Sequence, residues 1–537
     1  MKIILFIKIS ILLMIALQSL PAEEGFKLLA TMSGDSIGDG FSIVAGMGDV
    51  NEDGYDDVLV GAPGGNYAKL YFGGADFDTV ADLTFRDKKE QTRFGCALAG
   101  RGDINGDGCP DIVIGAEFNW VGPSWPLECI WDAGAVYVYF GGANLDTTAD
   151  LELVIGSWES GTGWYYNFGH ALDYAGDVNN DGYDDLIVSA PNDDFDAHGR
   201  VYIYLGGPNV DDKYDVLMEG QDHFDKFGWS VSSVGDVNKD GFDDVVIGAP
   251  QSLADDEPGK AYLVYGGKEI NLAYSEVFVG DSTMHNYGNT VSGLGDVNGD
   301  EYTDFGIMAF DCFRIYSGKV YDTLLTILSD TSSFETFYAL TEFEDIDVDG
   351  FCDFSLSIQK VINNEIYNQL LFYKGNDSLN LIADYKISEH ANGYFESMSY
   401  LGDIDKDSKN EVIIGNWLAE TENGKVFIYS YGKIENIINK NPNLNNRYSL
   451  FQNYPNPFNP NTAITYFLPV NSKVEMDIYN IAGQKVTTLI SAWQTAGNHK
   501  IKWNGQDKNG MNVSSGIYLY QLKANGFQQC KKMILIR

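Results

Sequence analysis

Short apolar runs closed by glycine alternate along most of this chain with loops rich in Asp and Asn, and one such unit recurs. Its first copy is Asp49-Val50-Asn51-Glu52-Asp53-Gly54-Tyr55-Asp56-Asp57, followed by the apolar run Val58-Leu59-Val60 and by Gly61-Ala62-Pro63. Equivalent nine-residue loops begin at Asp103, Asp177, Asp236, Asp296, Asp345 and Asp403, at intervals of 54, 74, 59, 60, 49 and 58 residues. After each loop comes a second element, an aromatic and β-branched run stopped by glycine, as strands are. These runs span Lys69 to Gly74, Ala135 to Gly142, Arg200 to Gly207, Lys260 to Gly267, Cys312 to Gly318, Gln369 to Gly375 and Lys425 to Gly432. Four strands are predicted per repeat. In the fourth copy they fall near Phe227 to Val234, Val245 to Ile247, Ala261 to Tyr265 and Tyr274 to Val279.

No single hairpin of this length hides its apolar face, whereas radial stacking of small sheets buries both faces and leaves short, protected edges. A linear solenoid would repeat in the same way but would need capping repeats. Here Phe26-Lys27-Leu28-Leu29-Ala30 reads as a fourth strand lacking its first three, and the seventh repeat ends at Tyr431 with no clear fourth strand. Residues near 26 to 32 are therefore predicted to complete the last blade of a closed ring. The fold class is all-β: a seven-bladed β-propeller, residues 23–432, followed by a small immunoglobulin-like β-sandwich.

The 537 residues, 44% hydrophobic and 13% aromatic, supply enough apolar material for such cores. Charge narrows the function. With 77 acidic against 35 basic residues, a net of −42, the chain repels phosphate backbones and anionic membranes, so nucleic acid is excluded as a partner. Residues 1–22 read as an export signal, with Lys2 and Lys8 ahead of a short apolar run from Ile9 to Leu20 and Ala22 before the cut. A membrane anchor is the alternative, against which the short span and Glu23-Glu24 count; no later stretch resembles a transmembrane segment. The six cysteines, Cys96, Cys109, Cys129, Cys312, Cys352 and Cys530, fit no zinc spacing. Cys96 with Cys109, or Cys312 with Cys352, are possible pairs, and buried free thiols are the other reading.

The acids concentrate where a cation would sit. In the third loop the oxygen donors are Asp177, Asn179, Asp181, the Tyr183 carbonyl and Asp185, with Gly182 supplying the positive φ of a tight turn. The same positions are Asp49, Asn51, Asp53, Tyr55 and Asp57 in the first loop, and Asp103, Asn105, Asp107, Cys109 and Asp111 in the second. They are Asp236, Asn238, Asp240, Phe242 and Asp244 in the fourth, and Asp296, Asn298, Asp300, Tyr302 and Asp304 in the fifth, where Glu301 replaces the glycine. The sixth has Asp345, Asp347, Asp349, Phe351 and Asp353; the seventh has Asp403, Asp405, Asp407, Lys409 and Glu411, with Ser408 in the glycine position and altered geometry expected. Hard oxygens without nitrogen or sulfur suit calcium, up to one ion per blade, and folding of the loops is expected to couple to binding. Asx turns bonded to their own backbone are the plain alternative.

These loops, together with Phe94-Gly95, Phe168-Gly169 and Phe227-Gly228 before them and Gly-Ala-Pro at Gly61 to Pro63 and Gly248 to Pro250, resemble the FG-GAP repeats of integrin α-subunit propellers and their bacterial relatives. The first copy reverses the pair as Gly40-Phe41 and the sixth lacks a clear Phe-Gly. The resemblance implies structural cations on one face and ligands on the opposite face. On that opposite side two insertions, carrying Trp120, Trp125 and Trp131, and Trp158, Trp164, Tyr165 and Tyr166, are predicted to meet between blades two and three. Such aromatics stack on sugars or anchor proteins, and equally they pack long loops. His170, His198, His223, His285 and His390 show no acid or nucleophile partner in the sequence, and His499 belongs to the tail.

Residues 433–447 read as a linker. Residues 448–537 follow with strands near Ala463 to Phe467, Val474 to Tyr479, Lys485 to Leu489, Gly497 to Trp503, Gly516 to Leu522 and Cys530 to Ile536. Asn453-Tyr454-Pro455-Asn456-Pro457-Phe458-Asn459-Pro460, Trp503-Asn504-Gly505, Ser515-Gly516-Ile517-Tyr518 and the terminal run from Lys531 to Arg537 resemble the type A C-terminal sorting domain of the bacterial type IX secretion system. That resemblance implies export across an outer membrane, with Lys531 and Lys532 suggestive for binding or processing; an immunoglobulin-like accessory module is the alternative. The chain is thus expected to be a secreted or surface-attached calcium propeller that binds glycans or envelope proteins. A calcium-dependent polysaccharide lyase or glycoside hydrolase, and a passive surface-layer component, are the competing readings.

Overall fold

A computed structural model describes residues 24–537 except 90, 119–133, 156–166, 193–197, 223–224, 251–257, 272–274, 282–285, 330–334, 363–364, 377–378, 380–382, 390–393, 418–422, 434–448, 451–457, 469–470, 482, 496, 509, 526 and 537. The chain divides into two compact units, Met1–Ile434 and Glu435–Arg537.

The first unit holds seven four-stranded antiparallel sheets. In blade one the strands are Ile43–Gly48, Asp57–Ala62, Tyr67–Tyr71 and Leu83–Arg86, innermost to outermost. Burial explains the composition of each position. The second strand is covered on both faces and reads as a continuous apolar run, whereas the outer strand is half exposed. In blade four the strands are Ser230–Gly235, Asp244–Ala249, Lys260–Val264 and Glu276–Val279, close to the predicted spans; the residues from Phe227 to Trp229 lead into the first strand rather than forming it.

Ring closure follows the expectation from the N-terminal segment. Glu24–Ser33 adds as the outermost strand of blade seven, pairing Phe26 with Tyr431 and Thr31 with Phe427 beside the strand Lys425–Lys433. Seven apolar clusters sit one between each pair of neighbouring blades, the last joining blade seven to blade one through Phe41, Val58, Ile413 and Ile428. The innermost strands surround an axial channel of about 500 Å³, lined by small residues such as Ala45, Ala99, Ser232, Ser292, Thr341 and Ser399.

The two halves of the repeat motif meet across blade boundaries. A Cβ on Gly61 would lie 2.2 Å from the Gly95 carbonyl oxygen of the next blade, and one on Gly248 would lie 2.0 Å from that of Gly288. Only glycine permits this approach. In copies one, six and seven the aromatic stands one place later, yet Phe41, Phe337 and Phe395 are all buried, so the sixth copy has its aromatic anchor after all. Cys96, Cys109, Cys312 and Cys352 are free thiols; neither candidate pairing forms.

The second unit is a sandwich of a three-stranded sheet (Ser449–Leu450, Thr462–Leu468, Gly497–Trp503) and a four-stranded one (Lys485–Gln494, Ser472–Asn480, Gly516–Ala524, Phe527–Leu535). Trp503, Tyr520, Met476 and Ile478 fill its core. The strand Ser449–Leu450, within the proline-punctuated lead-in, was not predicted by the strand pattern. No helix among the described residues is long and apolar enough to cross a membrane.

Candidate metal loops and the opposite face

Every acidic loop joins the innermost strand of a blade to its second strand, so all seven lie at one end of the ring. Their backbone is shaped by their own side chains. In the first loop Asp49 accepts the Asp53 N–H at 3.0 Å and the Gly54 N–H at 2.7 Å, and Asp53 accepts the Tyr55 N–H at 3.0 Å. Glu301 and Ser408, in the glycine position of copies five and seven, take φ of 69° and 68° and keep the same bond, to Asp296 and Asp403. The seventh loop keeps this bond despite Ser408, but its Asp407 N–H bonds Asp405 alone rather than Asp403, and Asp403 Oδ1 has no hydrogen-bond partner.

The ninth residue has a second task. Asp57 accepts the Val50 N–H at 3.0 Å and the Gly73 N–H at 2.8 Å, tying the loop to the end of the third strand. Asp111, Asp185, Asp244, Asp304 and Asp353 repeat this bridge, while Glu411 accepts only the Ile404 N–H of the corresponding pair. Burial pushes these aspartates up to about 7 and Glu411 up to about 8, against the pull of the hydrogen bonds they accept. A cation among them would reverse that shift.

The donor set fits a hard cation. Asn179 Oδ1, Asp347 Oδ1, Asp403 Oδ1 and Glu411 Oε1, at ligand positions three, three, one and nine, are buried oxygens with no hydrogen-bond partner. Oxygens of Asp345, Asp347 and Asp353, and of Asp403, Asp405 and Glu411, lie within 4.8 Å of one another. That span is about twice a calcium–oxygen bond. The carbonyl-donor positions Tyr55, Cys109, Tyr183, Phe242, Tyr302, Phe351 and Lys409 all fall in the turn after the fifth residue.

At the loop end of the channel two residues break the repeat, and sequence reasoning missed both. Arg101 stands where the other copies have Met47, Ala175, Val234, Leu294, Phe343 and Leu401, and Glu344 stands where they have glycine. The two pair with each other at 2.9 Å, from blade two to blade six. Arg101 also donates to the Tyr400 carbonyl at 3.2 Å and lies 4.0 Å from Asp56. Inside the channel, burial pushes Asp173 up to about 6 and Glu342 up to about 7. The signal was available by aligning the copies: these are the departures from an apolar and a glycine column.

At the opposite end, beside the shared buried aromatic anchors, one column differs in every copy. The residue seven places before each loop is Ser42, Cys96, His170, Trp229, Asn289, Tyr338 and Glu396 in turn. His170, for which the sequence offered no partner, bonds Glu117 at 2.7 Å, and its ring lies tilted against Trp229 with centroids 4.7 Å apart. Glu117 is buried and also pairs with Arg93 at 2.7 Å. On blades six and seven, Tyr338 stacks on Tyr394 at 4.5 Å, and Trp417 lies tilted against Tyr394 at 5.5 Å. Trp120, Trp125, Trp131, Trp158, Trp164, Tyr165 and Tyr166 lie outside the described residues. The stems of their two segments do adjoin, since Gly134 bridges Phe168.

The FG-GAP repeat family matches residues 41–78, 168–204 and 227–264, and the FlgD Ig-like domain matches residues 461–526. Integrin alpha-5 of Xenopus laevis is 29% identical over 225 residues, covering 39% of this chain and 20% of that protein. Integrin alpha-8 of Homo sapiens is 26% identical over 330 residues, 56% of this chain and 29% of that protein. Phosphatidylinositol-glycan-specific phospholipase D of Homo sapiens is 32% identical over 211 residues, 35% of this chain and 24% of that protein. The chain thus spans less than a third of the length of these relatives. Its first unit is a seven-bladed propeller that carries FG-GAP repeats and is similar in sequence to integrin α-subunits.

Proposed function

We propose that this chain is an exported, calcium-loaded binding module that works at a bacterial cell surface. Divalent cations in the seven loops stiffen the ring, and the opposite face recognises a glycan or envelope protein. The observation that carries this is the contrast in column identity: seven acidic loops in register at one end, with buried oxygens left unpartnered in four places, and seven unlike residues at the other. Similarity to integrin α-subunits supports a role in binding. Residues 1–22 would direct export and be removed. The domain that matches the FlgD Ig-like family would act as a type IX sorting signal, supported by the motifs from Asn453 to Pro460 and from Lys531 to Arg537.

The test is a screen of the secreted chain against glycans and cell-wall fractions, with turnover measured beside binding. Saturable binding that falls at least tenfold in Trp125→Ala with Trp164→Ala, with no product formed, is expected; tenfold is about 1.4 kcal/mol, less than the ~2 kcal/mol that one aromatic hot spot supplies. Product formation would make the chain an enzyme instead. Chelation should lower the melting temperature and near-millimolar calcium restore it, and an unchanged melting curve would remove the calcium reading.

A further inference from the structure

Loops six and seven depart from the first five in two ways together. Position three is asparagine in the first five and Asp347 and Asp405 in the last two, which makes the side-chain ligand positions one, three, five and nine all acidic there, four against three. Each also gains a lysine in a column that carries no charge elsewhere. Lys374 follows the third strand of blade six, where the other blades place Phe72, Phe140, Leu205, Tyr265, Ser317 and Tyr431. Lys409 occupies loop position seven, which is aromatic or cysteine in every other copy.

Both ammonium groups reach loop carboxylates: Lys374 pairs with Asp347, whose side chain is 7% exposed, and Lys409 pairs with Asp407. The Lys374 ammonium lies 5.5 Å from the Tyr385 ring and 5.8 Å from the Tyr431 ring. Among the described residues, no lysine or arginine pairs with a ligand-position carboxylate in the first five loops. Among the described residues, these are also the two loops in which oxygens of three carboxylates lie within 4.8 Å of one another, with Glu411 fully buried and its Oε1 unpartnered. A fourth carboxylate among the converging ligand positions, in place of a neutral asparagine, adds repulsion at the centre of the loop; the lysine supplies a counter-charge from within the chain. Asp347 Oδ1 remains without a partner, so a metal ion can still join.

Their location gives the pattern a purpose. Blade seven is closed by the N-terminal strand, and Phe26 of that strand stacks on Phe372 of blade six at 3.9 Å and lies 5.2 Å from Tyr431. We propose that Lys374 and Lys409 are built-in cations that keep the ring-closure seam shut when divalent cations are absent, while the first five loops depend on bound metal. This rests on the calcium reading above.

Hydrogen exchange of the full exported chain, with calcium and after chelation, tests it. In chelator, loops one to five should exchange about tenfold faster or more, whereas Glu24–Ser33 and Lys425–Lys433 keep their protection. Lys374→Met with Lys409→Met should match wild type in calcium and lose seam protection in chelator, and the Arg pair should restore it. A wild-type seam that opens as fast as the first five loops would overturn the inference, as would a Met double variant whose seam stays protected. If the Met variant fails to fold in calcium, the wild-type comparison alone decides. Exchange that is unchanged by calcium in every loop would instead remove the calcium reading, and this inference with it.

Discussion

The two ends of the propeller are built by the same strands and carry opposite kinds of information. At the loop end one column of residues is nearly invariant across copies, because each loop solves the same local problem of turning the chain around clustered oxygens. At the other end the equivalent column runs Ser42, Cys96, His170, Trp229, Asn289, Tyr338 and Glu396, and no two are alike. Repetition marks what the ring needs seven times over; divergence marks what it needs once. The recognition role proposed for this end requires such divergence, because a ligand is asymmetric and a surface that reads it has to break the symmetry of the scaffold.

The largest effect should come from the repeated end. Asp185 is fully buried and accepts the Val178 N–H at 3.0 Å and the Gly206 N–H at 2.8 Å. Asp185→Ala leaves both donors unpaired, at ~1–3 kcal/mol each, so a loss of about 3 kcal/mol or more is expected in chelator, before any metal is counted. Asp181→Ala removes an exposed side chain that accepts the Tyr183 N–H at 3.2 Å and the Asn179 Nδ2–H at 3.0 Å, both of which water can replace, and should cost about 1 kcal/mol or less in the same buffer. Denaturant melts of the two variants compare them directly. Equal losses would mean that the ninth acid serves the cation alone and not the loop backbone.

At the divergent end the expected effect is smaller and depends on pH. Burial by itself would raise Glu117, but the hydrogen bond and charge of His170, the Arg93 guanidinium and the Asn167 side chain outweigh it and hold the carboxyl below its ordinary 4.5. A folded value below the unfolded one means that the stabilisation is fully present above pH 4.5 and disappears as the pH falls through the folded value. Glu117→Gln should cost about 1–2 kcal/mol at neutral pH, since Arg93 is half exposed, and should flatten the acid limb of the stability curve. Parallel acid limbs in the two proteins would show that Glu117 is not held ionised by its neighbours.

How much the sequence reveals follows the same division. Loop spacing, the apolar second strands and the stray N-terminal strand from Phe26 to Ala30 are local patterns, and they lead to seven blades and to closure of the ring. The pairing of His170 with Glu117 spans 53 residues and depends on the radial stacking of blades, which no local pattern encodes. Likewise Gly40-Phe41 reads as a defective copy, although Phe41 is fully buried like the other anchors, because a shift of one place within a lead-in segment leaves burial intact. Strand pattern overlooked Ser449–Leu450 because a two-residue strand ahead of a proline-rich stretch carries no period.

The smallest effect concerns the departures at the loop end, and it decides whether they serve stability at all. Glu344 sits at φ 43° in a column that is otherwise glycine, and its pairing partner Arg101 sits at φ 73°. Holding a residue with a Cβ in that region costs ~1–2 kcal/mol, while a pair whose side chains are 34% and 55% exposed returns only about 0–1 kcal/mol. Glu344→Gly removes the pair and the strain together, so its net change should lie within about 1 kcal/mol of zero; Glu344→Ala removes the pair and keeps the strain, and should be about 1 kcal/mol less stable than the glycine variant. If Glu344→Gly instead loses ~2 kcal/mol or more, the bridge from blade two to blade six ties the ring across its channel, and the loop end would owe part of its stiffness to symmetry breaking as well.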